Sequence, residues 1–258
     1  MLSNTAKPVQ AILADDTTKS SSSAQVHAVD DVEEVHNATP RDSSDHASPH
    51  LHLDLDLNAT HLISSPYNDF ANQLRLEPLD TQSRLFAFAL TYFNRIQDDY
   101  ATAPYMTAFN WPFVFEVLRA LCSQTGIQWK RQEFYVVIFR SKLLADANRV
   151  RLGMLDQKSH EEACASGGLL HYWFGSTNTE RRNLATCESI TLHDRQIPTD
   201  LCTGMWVARE DAAAGGRGPW HKQARGAARE MYETISFHTH TLVVEDGASS
   251  WRLEDFVG

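Results

Sequence analysis

The chain has no run of Lys and Arg longer than two residues, and its 23 basic residues are set against 33 acidic ones for a net charge of −10. Nothing in it neutralises a phosphate backbone or an anionic lipid surface, which argues against nucleic acid and membranes as partners. Long apolar stretches are missing too. "FYVVIF" is far too short to span a bilayer, and "MLSNTAKPVQAILADD" lacks the charged start and apolar stretch of a signal peptide, so the sequence reads as cytoplasmic. Cys122, Cys164, Cys187 and Cys202 follow no CxxC or Cys/His metal spacing and read as free thiols. No G-x-S-x-G, Walker or dinucleotide pattern occurs, and "GGRGPWH" lacks the context of a phosphate loop, so no cofactor and no metal are called for.

What is present is enough for a sizeable core: 258 residues, 42% of them hydrophobic. The acidity is concentrated at the start, where residues 1–60 hold three basic and ten acidic residues, leaving −3 for the remainder. "KSSSSAQ", "DDVEEVH" and "RDSSDHASPH" have too few large apolar groups to offset ordering entropy, so residues 1–48 read as a disordered, acidic, Ser-rich tail. His27, His36 and His46 fall in it, with His50 just past its end, and solvated histidines explain them better than a metal site does. A single α+β domain is expected over 49–258.

That domain opens with "LHLDLDL", whose alternation puts Leu51, Leu53, Leu55 and Leu57 on one face of a strand. "SRLFAFALTYFNRIQ" and "WPFVFEVLRALCSQTG" have helical periodicity, the second with Pro112 in its first turn and Gly126 past its end. "EFYVVIFRSKL" is a buried strand, "DANRVRLGMLDQKSHEEACAS" a helix ending before Gly167, and "LLHYWFG" and "NLATC" are strands. A helix from Pro219 and a short strand "THTLVVE" follow. Strand, helix, strand, strand, helix, strand is the ferredoxin-like split βαβ order, whose common small-molecule form is a dimeric α+β barrel. A partner sheet would come from a second chain, giving a homodimer, or its place would be taken by the added N-terminal helices.

One strand is interrupted. "NLATC" is too short for its neighbours, "MWVA" would complete it, and "ESITLHDRQIPTDLCTG" lies between them. A loop of that length is either functional, here a lid carrying His193 and Asp194, or foreign. The genetic code favours the second reading. Cys-Glu-Ser can be written TGT-GAG-TCN, which contains a GTGAGT donor, and Thr-Gly as ACA-GGN, which contains a CAG acceptor. Splicing removes the 17 codons of residues 188–204 and rebuilds a Cys codon in frame. This segment is therefore expected to be a retained intron.

"YATAPYMTAFNW", "FYVVIFRSKL", "SGGLLHYWFG", "NLATC…WVAREDA" and "GPWHKQA" together resemble the fungal PydY-like pericyclase family over residues 74–256, departing from it at 188–204, where that family has no insertion. The resemblance implies concerted ring closure of a polyene polyketide-amino-acid intermediate in secondary metabolism, without metal or redox cofactor. Such a reaction needs a cavity that folds a flexible chain and a donor that polarises a carbonyl. Arg140, His171 and His160 are the expected catalytic donors, and Tyr135, Tyr172, Trp173 and His221 the expected substrate-binding wall. Asp156 and His160, four apart on a helix, could form an acid/base pair, although such pairs usually support a helix surface. His238 and His240 share a strand face but lack a third metal ligand. Two other readings remain: a non-catalytic binder of a small hydrophobic ligand or structural dimer, and an oxygenase-type α+β-barrel enzyme.

Overall fold

The structure is a computed structural model that describes residues 5–6, 53, 55–176, 179–184, 190–192, 195–197 and 203–257. Three short strands and three helices come first: β1 (Thr5–Ala6), β2 (His61–Leu62), β3 (Leu74–Arg75), α1 (Thr81–Leu90), α2 (Tyr105–Ala108) and α3 (Trp111–Thr125). Then follow β4 (Gln132–Leu143), α4 (Arg149–Ser166), β5 (Leu169–Trp173), β6 (Arg182–Leu184), β7 (Ile190–Leu192), β8 (Arg195–Ile197) and β9 (Thr203–Trp206). The chain finishes with α5 (Arg209–Gly215), α6 (Pro219–Met231), β10 (Tyr232–Val244) and β11 (Trp251–Asp255). Apart from Thr5–Ala6, which pair with His61–Leu62, the expected tail lies outside the described residues. No helix among the described residues is long and apolar enough to cross a membrane.

Local chemistry accounts for most boundaries. The Asp80 carboxylate accepts from the amides of Gln82 and Ser83 and starts α1. Pro112 sits in the first turn of α3, and Gly126 ends it in the left-handed conformation. Asn148 caps α4 through the Arg151 amide, and Pro219 opens α6. Two expectations fail. "LHLDLDL" forms no strand among its described residues, although Leu53 is buried and Leu55 and Leu57 pack on the core. "THTLVVE" is only the end of β10, which begins at Tyr232 as soon as α6 stops and pairs with β4 as far as Val244, the strand-forming Tyr232, Thr234 and Ile235 extending it along its long partner.

The result is a mixed α+β structure with an open sheet, all antiparallel, in the order β11-β10-β4-β9-β5, and it is not closed into a barrel. Phe134, Val136, Ile138, Leu170 and Leu242 turn to one face and join Phe86, Trp111, Phe115 and Leu118 of α1 and α3 in the larger core. These helices cover the face that a partner sheet would otherwise have to cover. Val137, Leu169, Tyr172 and Trp206 turn to the other face, towards α4 and α5.

β6 and β9 both lie beside β4. Arg140 pairs with Leu184, and three residues back Val137 pairs with Gly204. Within each stretch the paired residue numbers add to a constant, 324 for Arg140 with Leu184 and 341 for Val137 with Gly204, which differ by 17. The two strands therefore keep the register of one strand from a chain 17 residues shorter. Much of 188–204, including the suggested lid residues His193 and Asp194, lies outside the described residues.

Candidate functional site

Strand alternation places Tyr135, Val137 and Phe139 on the face opposite Phe134, Val136 and Ile138. Over that face α4, α5 and α6 present small side chains: Ala163, Ala212, Ala213, Ala224 and Ala228, with Gly216. Small residues facing aromatic ones leave space, and the space is a cavity of about 730 Å³, inside the range of about 300–1,000 Å³ typical of small-molecule sites. Its wall is mostly apolar. Ile235 and Phe237 on β10, 43% and 55% exposed, stand at its edge.

Asp156, Ser159, His160 and Tyr172 supply the inner polar groups. They sit on the buried stripe of α4, which runs Leu152, Leu155, Asp156, Ser159, His160 and Ala163. The Tyr172 hydroxyl donates to Asp156 Oδ1 at 2.5 Å, and the Tyr67 hydroxyl to Oδ2 at 2.5 Å. Burial pushes the Asp156 carboxyl up to about 7, against the two phenols, which favour its ionised form. Burial pulls His160 the other way, to about 3, so its ring is neutral. His160 Nδ1 lies 2.8 Å from the Asn72 amide nitrogen, an arrangement that leaves the ring proton on Nε2.

His221 reaches the cavity from α6. Its Nδ1 lies 3.1 Å from Glu162 Oε2, and Glu162 also accepts from the amides of Trp220 and His221, so an acid on α4 anchors the first turn of α6. Burial opposes the ionisation of Glu162, but those amides and the ring outweigh it and hold the carboxyl below its ordinary range. A Cβ at Gly218 would stand 2.1 Å from the Glu162 carboxyl, so a larger residue there would push that carboxyl off the α6 amides.

The sequence-predicted set divides in two. Tyr135, His160, Tyr172 and His221 line the cavity together. Arg140, His171 and Trp173 do not, and this corrects the expected grouping. Arg140 has the parity of Val136 and Ile138, and its guanidinium donates to the carbonyls of Ala101 at 2.5 Å and Ala103 at 2.7 Å, fastening the 99–104 segment. A bulge between Leu169 and His171 shifts the register of β5. His171 then meets Phe93 at 5.6 Å, and Trp173 packs edge-on against Phe109 at 4.8 Å, both within the larger core. His240 pairs with Asp255 at 3.2 Å, a surface arrangement on the β10–β11 hairpin.

Sequence reasoning underrated Asp156 and missed Tyr67 and Asn72. The helical phase of Asp156, between Leu152 or Leu155 and Ala163, was the available signal. Tyr67 carried none, since its partner is 89 residues away.

The family model described as PB2B2.08-like matches residues 63–189 and 191–255 of this chain. The UPF0643 protein PB2B2.08 of the fission yeast Schizosaccharomyces pombe is 30% identical over 195 residues, covering 73% of this chain and 81% of that protein. No solved structure matches.

Proposed function

The chain belongs to the PB2B2.08-like family, and we propose that its cavity is the active site of a cofactor-independent isomerase of the pericyclase kind. The reaction is ring closure of a flexible polyene chain bearing a carbonyl. One observation carries this reading: a carboxyl near neutrality in its titration, held between two phenols in the wall of an otherwise apolar cavity.

The chemistry follows from proton counting. When Asp156 is ionised, both phenols donate to it. When it is protonated, its own O–H must donate to one phenol oxygen, and that phenol's proton turns elsewhere. Tyr172 lines the cavity, so its hydroxyl becomes the donor to a substrate carbonyl oxygen. A concerted closure forms no covalent intermediate, so acceleration comes from holding the chain folded and from such a bond strengthening as the oxygen gains charge. Tyr135, Trp206 and Phe139 hold the chain, and the neutral His160 stands beside Tyr172, ring centroids 4.4 Å apart.

The strand order β10-β4-β9-β5, with α4 and α6 packed together on one face, supports the ferredoxin-like split βαβ reading of the half that builds the cavity.

The test supplies a linear polyene tetramate to the purified protein and follows the ring-closed isomer, equal in mass, by chromatography. Faster closure or an altered stereoisomer ratio relative to buffer supports the reading. No change in either, with folded protein, overturns it and leaves a non-catalytic hydrophobic-ligand protein.

A further inference from the structure

The inner wall of the cavity is mostly apolar, and its outer lining includes two arginines, Arg209 at the start of α5 and Arg225 on α6. Both are exposed, as are their neighbours in the lining Ile235 and Phe237. The Arg225 guanidinium is steadied by the Gly216 carbonyl, 2.7 Å from Nη1. Arg209 lies over the Phe256 ring at 5.7 Å. Among the described residues neither forms an ion pair, although Arg95, Arg131, Arg151, Arg181, Arg182 and Arg252 each meet a carboxylate in this strongly acidic chain. Asp156 and Glu162 do not compensate them, being held by Tyr67 and Tyr172 and by the α6 amides with His221 respectively. Two cations in the exposed lining of an apolar cavity, with no ion-paired acid among the described residues, form one half of a charge pair.

We propose that the molecule taken by this cavity is an organic acid with a long apolar tail, a carboxylate or comparably acidic enol, whose anionic head is held at the rim by Arg209 and Arg225. This rests on the cavity being the substrate site. The direction of entry follows from desolvation. An ionised head carried inward to Val137, Leu169 and Trp206 would lose its hydration without a cation to replace it, so the tail goes in and the head stays at the mouth. A guanidinium offers a planar pair of donors to two acid oxygens, which selects an acid over an alcohol or ester of equal length.

The experiment measures binding without turnover, so it stands whether or not ring closure is observed. Dodecanoate, dodecanol and methyl dodecanoate are titrated against the full chain by calorimetry at low and high salt. The variants are Arg209→Gln, Arg225→Gln, the double variant, and Arg217→Gln as an exposed control outside the lining, each checked for folding by circular dichroism. The expected result is that the acid binds at least about ten-fold more tightly than the alcohol or ester. High salt and the double variant should erase that preference while the alcohol's affinity stays unchanged, and Arg217→Gln should preserve it. Equal affinity for acid and alcohol, absence of binding, a preference that survives in the double variant, or an equal loss in the Arg217 control would each overturn the proposal.

Discussion

Tyr172, on β5, donates its hydroxyl to Asp156, on α4, at 2.5 Å across the inner wall of the cavity. The bond ties the availability of a phenol proton to the titration of a carboxyl that burial pushes up to about 7. If turnover needs the protonated carboxyl, the closure rate is steady at low pH and falls as pH rises through about 7. Asp156→Asn mimics the neutral acid, with one acceptor oxygen and an amide that donates. It should keep most of the activity and lose the alkaline fall, while Asp156→Ala loses both. Rate against pH for the three proteins checks this, and an unchanged alkaline limb in Asp156→Asn would refute it.

Stability carries the same signature. Unfolded, the carboxyl titrates near 3.9, so between about 4 and about 7 the folded state holds a proton the unfolded state has released. Its contribution falls as pH rises through that window. His160 and His171, both pulled by burial to about 3, act in the opposite sense. Each stabilises the fold above about 6.5 and loses that contribution as pH falls towards 3. Wild type should gain stability from pH 4.5 to 6.5 because two histidines outweigh one acid. Asp156→Asn should gain more steeply, by about 1 kcal/mol per pH unit. Urea unfolding across that range decides, and parallel curves would show that Asp156 is ionised throughout.

Arg140 offers the contrast of a striking charge with a structural task. Its donations to Ala101 and Ala103 satisfy carbonyls beneath the larger core. Arg140→Met should cost about 2–3 kcal/mol, lowering Tm by about 4–12 °C. It should leave dodecanoate affinity within about two-fold. A loss of affinity at unchanged Tm would return Arg140 to the site.

The parts of the fold readable in the sequence were those decided locally. Pro112 and Gly126 bracket α3, Pro219 opens α6, and the β-branched run from Phe134 forms the central strand. The site was half readable, because strand parity and a bulge sort neighbouring residues to opposite faces: Tyr172 goes to the cavity, while His171 and Trp173 go to the core. A register shift cannot be seen in a single strand's sequence, since it is defined against a partner. The bond from Tyr67 to Asp156 was invisible for the same reason. Asp156 itself could have been found by treating the α4 stripe as buried.

The last prediction concerns residues 188–204. Arg140 with Leu184 and Val137 with Gly204 are offset by 17 residues from a single register, and the segment singled out by its splice-like boundaries has 17 residues. In a chain lacking it, Cys187 takes the place of Gly204 opposite Val137, Met205 and Trp206 keep Val136 and Tyr135, and Ala185 and Thr186 come opposite Phe139 and Ile138. On that side of β4, Ile138 and Phe139 have no partner among the described residues. The shortened chain therefore gains ladder hydrogen bonds in the middle of the sheet and sheds the entropy of a long closed loop. The net gain should be about 1–3 kcal/mol, raising Tm by about 2–12 °C and slowing amide exchange at Phe139, whose N–H shares the side of β4 on which Leu143 donates to Arg181, while Ile138 faces β10. Gly204 lines the cavity, and the Cβ that Cys187 brings to its place would stand 2.7 Å from the Trp206 ring nitrogen, so dodecanoate binding should persist with Trp206 displaced in the wall. Transcript sequencing should find reads that join the Cys187 codon to Met205. If every read retains the segment and its deletion lowers Tm or abolishes binding, then 188–204 is a working part of the protein, and the matching register is the anchoring of an insertion that the sheet has accommodated.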